Sequence, residues 1–61
     1  MKFIKINKKG DTRPIYLNVD KIVYIDTEKN IEGFHYVYLS GTYFYVDETN
    51  YRKIMSAISQ I

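Results

Sequence analysis

His35 is the only histidine in the chain. An imidazole does acid–base work when a carboxylate orients it or a nucleophile stands within hydrogen-bond reach. The sequence places neither beside it, so His35 reads as a partly exposed spacer on the helix-facing side of a strand. Asp26, Glu28 and Glu32 lie close in sequence, and paired carboxylates can exchange protons in a cleft. Here Asp26 precedes the polar run TEKNIEG and Glu28 and Glu32 lie within it, which predicts a solvated loop. Asp47 and Glu48 are accounted for by the start of a helix, where side-chain acceptors and negative charge are favoured. Gly10, Gly33 and Gly41 are isolated turn glycines and build no phosphate-cradling loop. One histidine and no cysteine leave no conventional zinc site. These residues point to a non-enzymatic protein with no cofactor.

The unusual residue type is tyrosine. The run FHYVYLSGTYFYV, residues 34–46, holds four of the chain's seven tyrosines. Ser40-Gly41 fits a two-residue hairpin loop. That loop sets Leu39 opposite Thr42, Tyr38 opposite Tyr43, Val37 opposite Phe44 and Tyr36 opposite Tyr45. Side chains alternate along a strand. Tyr36, Tyr38, Tyr43 and Tyr45 therefore share one face, and Val37, Leu39, Phe44 and Val46 share the other. Tyr16 alternates away from Ile15 and Leu17 and is assigned to the tyrosine face, whereas Tyr24 is not placed. Three readings of this face stay open. It is an interface between copies of the chain, a wet structural ladder, or a stacking platform for a base. Interface cores favour tyrosine over lysine and glutamate, which ranks the first reading highest.

The surrounding elements follow from periodicity. KFIKIN, residues 2–7, is strand-like, and KKGDT is a turn centred on Gly10-Asp11. Pro14 opens PIYLNV, whose alternation predicts a half-buried strand. After a short bend at residues 18–20, KIVYID is apolar on both sides, as expected of a central strand. Beyond Val46 the period changes. Asp47 or Thr49 can cap a helix in which Tyr51, Ile54, Met55, Ile58 and Ile61 form one apolar stripe. The fold class is α+β: a strongly twisted antiparallel sheet of about five short strands, with one C-terminal helix packed on one face.

Sixty-one residues make one domain with a thin core. Small domains often add a disulfide, a metal or a partner chain. With cysteine absent, a homo-oligomer is the device that remains. The net charge of +2 is mild, but Lys2, Lys5, Lys8, Lys9 and Arg13 gather at the front end against Asp11 alone. Lys5, Lys8, Lys9 and Arg13 are candidate anion contacts, and beside the tyrosines they make a nucleic acid or nucleotide the second partner class. The alternative role for these lysines is to solubilise the turn and discourage edge pairing. No apolar run approaches the roughly 20 residues that span a bilayer, and MKFIKINKKG lacks a signal-peptide core. The expected location is the cytoplasm, and the expected role is accessory or regulatory through protein–protein contact.

Two resemblances accompany this reading. Tyr16-Leu17-Asn18-Val19-Asp20-Lys21-Ile22, followed by Gly41 and Val46, resembles the pattern of the flagellar FlbD/SwrD-type family of small cytoplasmic bacterial proteins. That resemblance covers most of the chain and implies a basic start, a glycine hairpin and a short closing helix. The segment from Ile15 to Ile54 is also similar to the front half of LytTR-type DNA-binding domains. The DNA contacts of that family lie on later strands, so this second likeness implies fold and not DNA binding.

Overall fold

A computed structural model describes residues 2–59. It contains five short strands, β1 (Phe3–Ile6), β2 (Ile15–Asn18), β3 (Ile22–Ile25), β4 (His35–Leu39) and β5 (Thr42–Val46), then helix α1 (Glu48–Ser59). This is the α+β arrangement expected from the sequence. The strands are divided between two antiparallel sheets, a β1–β2 ribbon and a β3–β4–β5 sheet. The division is made by a single 3-10 turn, Val19–Lys21, which joins β2 to β3. Asn18 stabilises that turn by accepting a 3.0 Å hydrogen bond from the Asp20 amide. Val19 is buried at the corner. The chain thus changes sheets around an apolar pivot.

Each sheet contributes its apolar face to one core. In the ribbon, Ile4 pairs with Leu17 and Ile6 with Ile15. In the second sheet, Val37 pairs with Phe44 and His35 with Val46. Ile6, Leu17, Val19, Val37, Val46, Ile54 and Ala57 form the buried cluster, with Leu39, Phe44 and Tyr51 packed against it. The β4–β5 register matches the one deduced from the Ser40-Gly41 loop at every pair. Of the two loop residues, Gly41 alone adopts the left-handed region, at φ 84. That is the demand of the second central position of a type II turn, and a side chain there would be strained.

Two expectations are corrected. KIVYID supplies β3, which is an edge strand; β4 is the central one. Val23 and Tyr24 are 58% and 52% exposed. The apolar look of this strand reflects a register irregularity between Ile22 and Tyr24, not burial on both faces. The helical stripe is also rotated. Ile54 and Ala57 are buried and Ile58 is 45% exposed. The remaining member, Ile61, lies outside the described residues.

The helix begins where its chemistry dictates. Oδ1 of Asp47 accepts from the Asn50 amide at 2.9 Å, and Glu48 occupies the first turn. Oδ1 of Asp47 also accepts from Nδ2 of Asn50 at 2.8 Å. Asn50 in turn accepts from the Asn7 amide at 3.1 Å, which ties the end of β1 to the start of α1. Asp47→Ala is therefore expected to lower stability by about 0.5–2 kcal/mol, measured by urea denaturation. Thr49→Ala, at an exposed helical position, is expected to change it by less than about 0.5 kcal/mol.

Candidate functional site: the tyrosine layer and the histidine clamp

The face of β3–β4–β5 opposite the helix is a sheet of phenol rings. Tyr36 is its centre. Its ring centroid lies 5.3 Å from that of Tyr43, 5.4 Å from Tyr45 and 5.8 Å from Tyr24. Tyr38 stacks on Tyr24 at 5.2 Å and on Tyr36 at 6.4 Å. Tyr43 meets Tyr45 edge to face at 6.1 Å. Spacings of 4.5–7 Å are those of attractive aromatic pairs. Burial among these rings, with the Tyr24 phenol adding to it, holds the Tyr36 hydroxyl above its ordinary value of 10.

Tyr24 enters the layer because of the irregularity in β3. The pairing advances two residues on β3, Ile22 to Tyr24, for one on β4, Leu39 to Tyr38. Without that extra residue, Tyr24 would share the face of Ile22. With it, Ile22 and Ile25 turn inward and Tyr24 stands beside Tyr38. A bulge of this kind re-aims side chains. Sequence alternation assumes an unbroken period of two, so nothing in KIVYID marks the break.

Tyr16 is separated from the layer. It lies on β2 opposite Lys5, on the outer side of the ribbon with Phe3, and is 71% exposed. It does alternate away from Ile15 and Leu17, but in the other sheet. No ring contact joins it to the five tyrosines among the described residues.

The basic residues also disperse. Lys9 reaches the rim of the layer, where its ammonium pairs with Glu32. It sits 4.6 Å from the Phe34 ring centroid and 5.8 Å from that of Tyr45. Its amide donates to the Tyr45 carbonyl at 2.7 Å, so the turn after β1 is stitched to β5. A shallow recess of about 370 Å³ lies between residues 8–11 and Phe44–Tyr45. The Lys8 carbonyl accepts from the Asp11 amide at 3.0 Å, closing that turn. Arg13 is exposed, with its amide held by Oδ1 of Asp11 at 3.1 Å. Lys5 points outward from the ribbon. These cations do not converge on one point.

His35 requires the largest revision. It is 2% exposed, not a partly exposed spacer. Nδ1 lies 3.0 Å from the Asp26 carbonyl, and Nε2 lies 3.2 Å from Oε1 of Glu48. Tyr51 stacks on the ring at 3.6 Å with an interplanar angle of 8°. Glu48 also meets Nε of Arg52 at 2.9 Å and Nζ of Lys29 at 3.4 Å. The His35 hydrogen bond, with help from Lys29 and Arg52, holds the Glu48 carboxyl below its ordinary value of 4.5. The carboxylate that sequence spacing did not place beside His35 is thus supplied by the first turn of α1. The pair is 13 positions apart in sequence and is joined only because His35 pairs with Val46 at the end of the hairpin. The ring is sealed by Tyr51 and holds together the end of β3, the start of β4 and the helix. Among the described residues, no three acidic, histidine or cysteine side chains converge to hold a metal ion. Also among them, no helix is long and apolar enough to cross a membrane.

Comparison with known proteins finds no matching family model, no matching curated sequence and no matching solved structure.

Proposed function

We propose that the tyrosine layer is the interface of a homodimer, and that the protein acts as a small accessory or regulatory factor through protein–protein contact. The observation that carries this reading is the layer itself: five phenols in mutual contact, with no charged side chain among them, on the sheet face that α1 leaves open. Tyr24 and Tyr43 are more than half exposed and the other three less so. At about 150–250 Å² per tyrosine, with roughly half of each ring facing outward, the five present about 375–625 Å². That equals the largest patch on an ordinary monomer. A standard interface takes about 800 Å² from each partner. The rings would supply the centre of such a contact, with Val23 and the Lys9–Phe34 corner at its rim.

The test is mass in solution by light scattering. Wild type is expected at twice the 7.3 kDa chain mass. Tyr38→Asp/Tyr43→Asp is expected at the single-chain mass, with its circular dichroism unchanged. A wild-type chain that remains single at about 100 μM, where even a Kd of about 10 μM would give mostly dimer, rejects the interface. A nucleotide or nucleic acid is the second reading, favoured by the Lys9 ammonium beside the Tyr45 ring. Oligonucleotide binding would then fall steeply with added salt.

A further inference from the structure

We infer that the outer edge of β1, together with the adjoining side of α1, is a docking groove for an extended acidic peptide, which adds to the ribbon as a third strand. The inference is independent of the tyrosine layer and lies elsewhere on the molecule.

Hydrogen-bond phase defines the open edge. The Val19 amide donates to the Lys2 carbonyl at 2.9 Å, continuing the β1–β2 register by one pair. In an antiparallel ladder, bonded and non-bonded pairs alternate. Ile4 and Ile6 therefore direct their backbone groups at β2, and Phe3 and Lys5 direct theirs the opposite way. Asn7 has the phase of Phe3 and Lys5, and its amide does point outward, where Oδ1 of Asn50 receives it. At Phe3 and Lys5 no backbone partner from another strand is present among the described residues, since β1 pairs with β2 alone. A strand edge of this kind is completed by another extended backbone.

The edge faces a groove and not open solvent. A recess of about 480 Å³ runs between β1 and α1, with Phe3, Ile4 and Ala57 lining its apolar part. Lys2, Arg52 and Lys53 line it as well, and among the described residues no acidic side chain does. The ammonium of Lys2 donates to the Ala57 carbonyl at 2.7 Å, and Nε of Arg52 is held by Glu48. Lys53 and, along the edge, Lys5 are exposed. A groove with an apolar floor, a strand edge on one wall and cations on the other matches one ligand chemistry. That ligand is an extended chain alternating apolar and carboxylate side chains. Its apolar residues would face the groove floor at Ile4 and Ala57, and its carboxylates, on the other face of the added strand, would meet Lys5 at the edge and Lys53 at the rim.

The probe is a fluorescein-labelled eight-residue peptide of alternating glutamate and valine, titrated with the full chain and read by anisotropy. Saturable binding is expected, with none for the lysine–valine counterpart. Two N-methylated versions of the acidic peptide, blocked at alternate amides, separate strand addition from simple charge attraction. One set is expected to abolish binding and the other to leave it within about twofold, because alternate amides face the edge. Lys5→Glu/Lys53→Glu changes two exposed side chains and is expected to weaken binding at least about tenfold. Three results overturn the proposal: no binding at about 1 mM chain, equal binding of both methylated peptides, or undiminished binding of the acidic peptide by Lys5→Glu/Lys53→Glu.

Discussion

Ile54→Ala is expected to remove about 2–5 kcal/mol of stability, the cost of an uncompensated cavity at a buried branched residue. A chain of this length has about 3–9 kcal/mol in all. The substitution therefore takes the protein to the edge of unfolding at room temperature. The size of the effect comes from position. Ile54 is fully buried, and it belongs to the cluster that joins Ile6 and Leu17 of the ribbon to Val37 and Val46 of the second sheet. Among the described residues the two sheets share no strand pairing, so the side chains of α1 are a large part of what holds them together. Ile58→Ala is the control. At 45% exposure it is expected to cost less than about 1 kcal/mol. Urea denaturation at one fixed protein concentration measures both, since dimerisation would make stability depend on concentration. Equal losses at the two positions would show that α1 does not bury the face described here.

His35→Leu is expected to be the second most damaging change, at about 2–4 kcal/mol, combining lost hydrogen bonds with a lost ring stack. Leucine fits the apolar surroundings but offers no ring nitrogen to the Asp26 carbonyl or to Glu48. It also forfeits the stack on Tyr51. Glu48→Gln should cost less, because the Glu48 side chain is partly exposed and can be hydrated. The two variants differ in their response to acid. Glu48 has a lowered carboxyl value in the folded protein, with the His35 bond as its main cause. A group depressed by folding stabilises the native state above its unfolded value and loses that contribution as pH falls through the folded value. Wild-type stability is thus expected to decline as pH drops below about 4.5, the ordinary carboxyl value. Glu48→Gln should lack this component and show a shallower decline. Parallel acid profiles for wild type and Glu48→Gln would rule out the clamp as a source of acid sensitivity. Glu32 is lowered in the same direction by Lys9. That pair is exposed, so its share is expected to fade with salt.

Much of this molecule can be read from local pattern. The hairpin from His35 to Val46 is legible because a two-residue loop and a period of two jointly determine which residues face each other. The same pattern places Tyr36, Tyr38, Tyr43 and Tyr45 on one side. The start of α1 is legible because Asp47 is an acceptor at a change of period. The ends of β1 and β2 are legible from the Gly10 turn and Pro14. Local chemistry of this kind acts over one to five residues, and the sequence shows it directly.

The features that escaped the sequence are those in which two distant segments compete for the same space. An extra residue in β3 is invisible until β4 lies beside it, so Tyr24 joined the tyrosine layer only in three dimensions. Tyr16 has the alternation expected of it, but the Val19 corner sends its strand to the other sheet. His35 looked isolated because its carboxylate partner stands on a helix that had first to dock. The helix itself presents Ile54 and Ala57 inward instead of Ile54 and Ile58, since Ala57 is small enough to let α1 approach the ribbon closely. Amino-acid order alone determined the strands, the helix, the hairpin register and the four-tyrosine face. Tertiary packing alone decided the sheet division, the fifth tyrosine, the buried His35–Glu48 pair and the open edge of β1, because each depends on which backbone groups and side chains distant segments leave uncovered once they have packed.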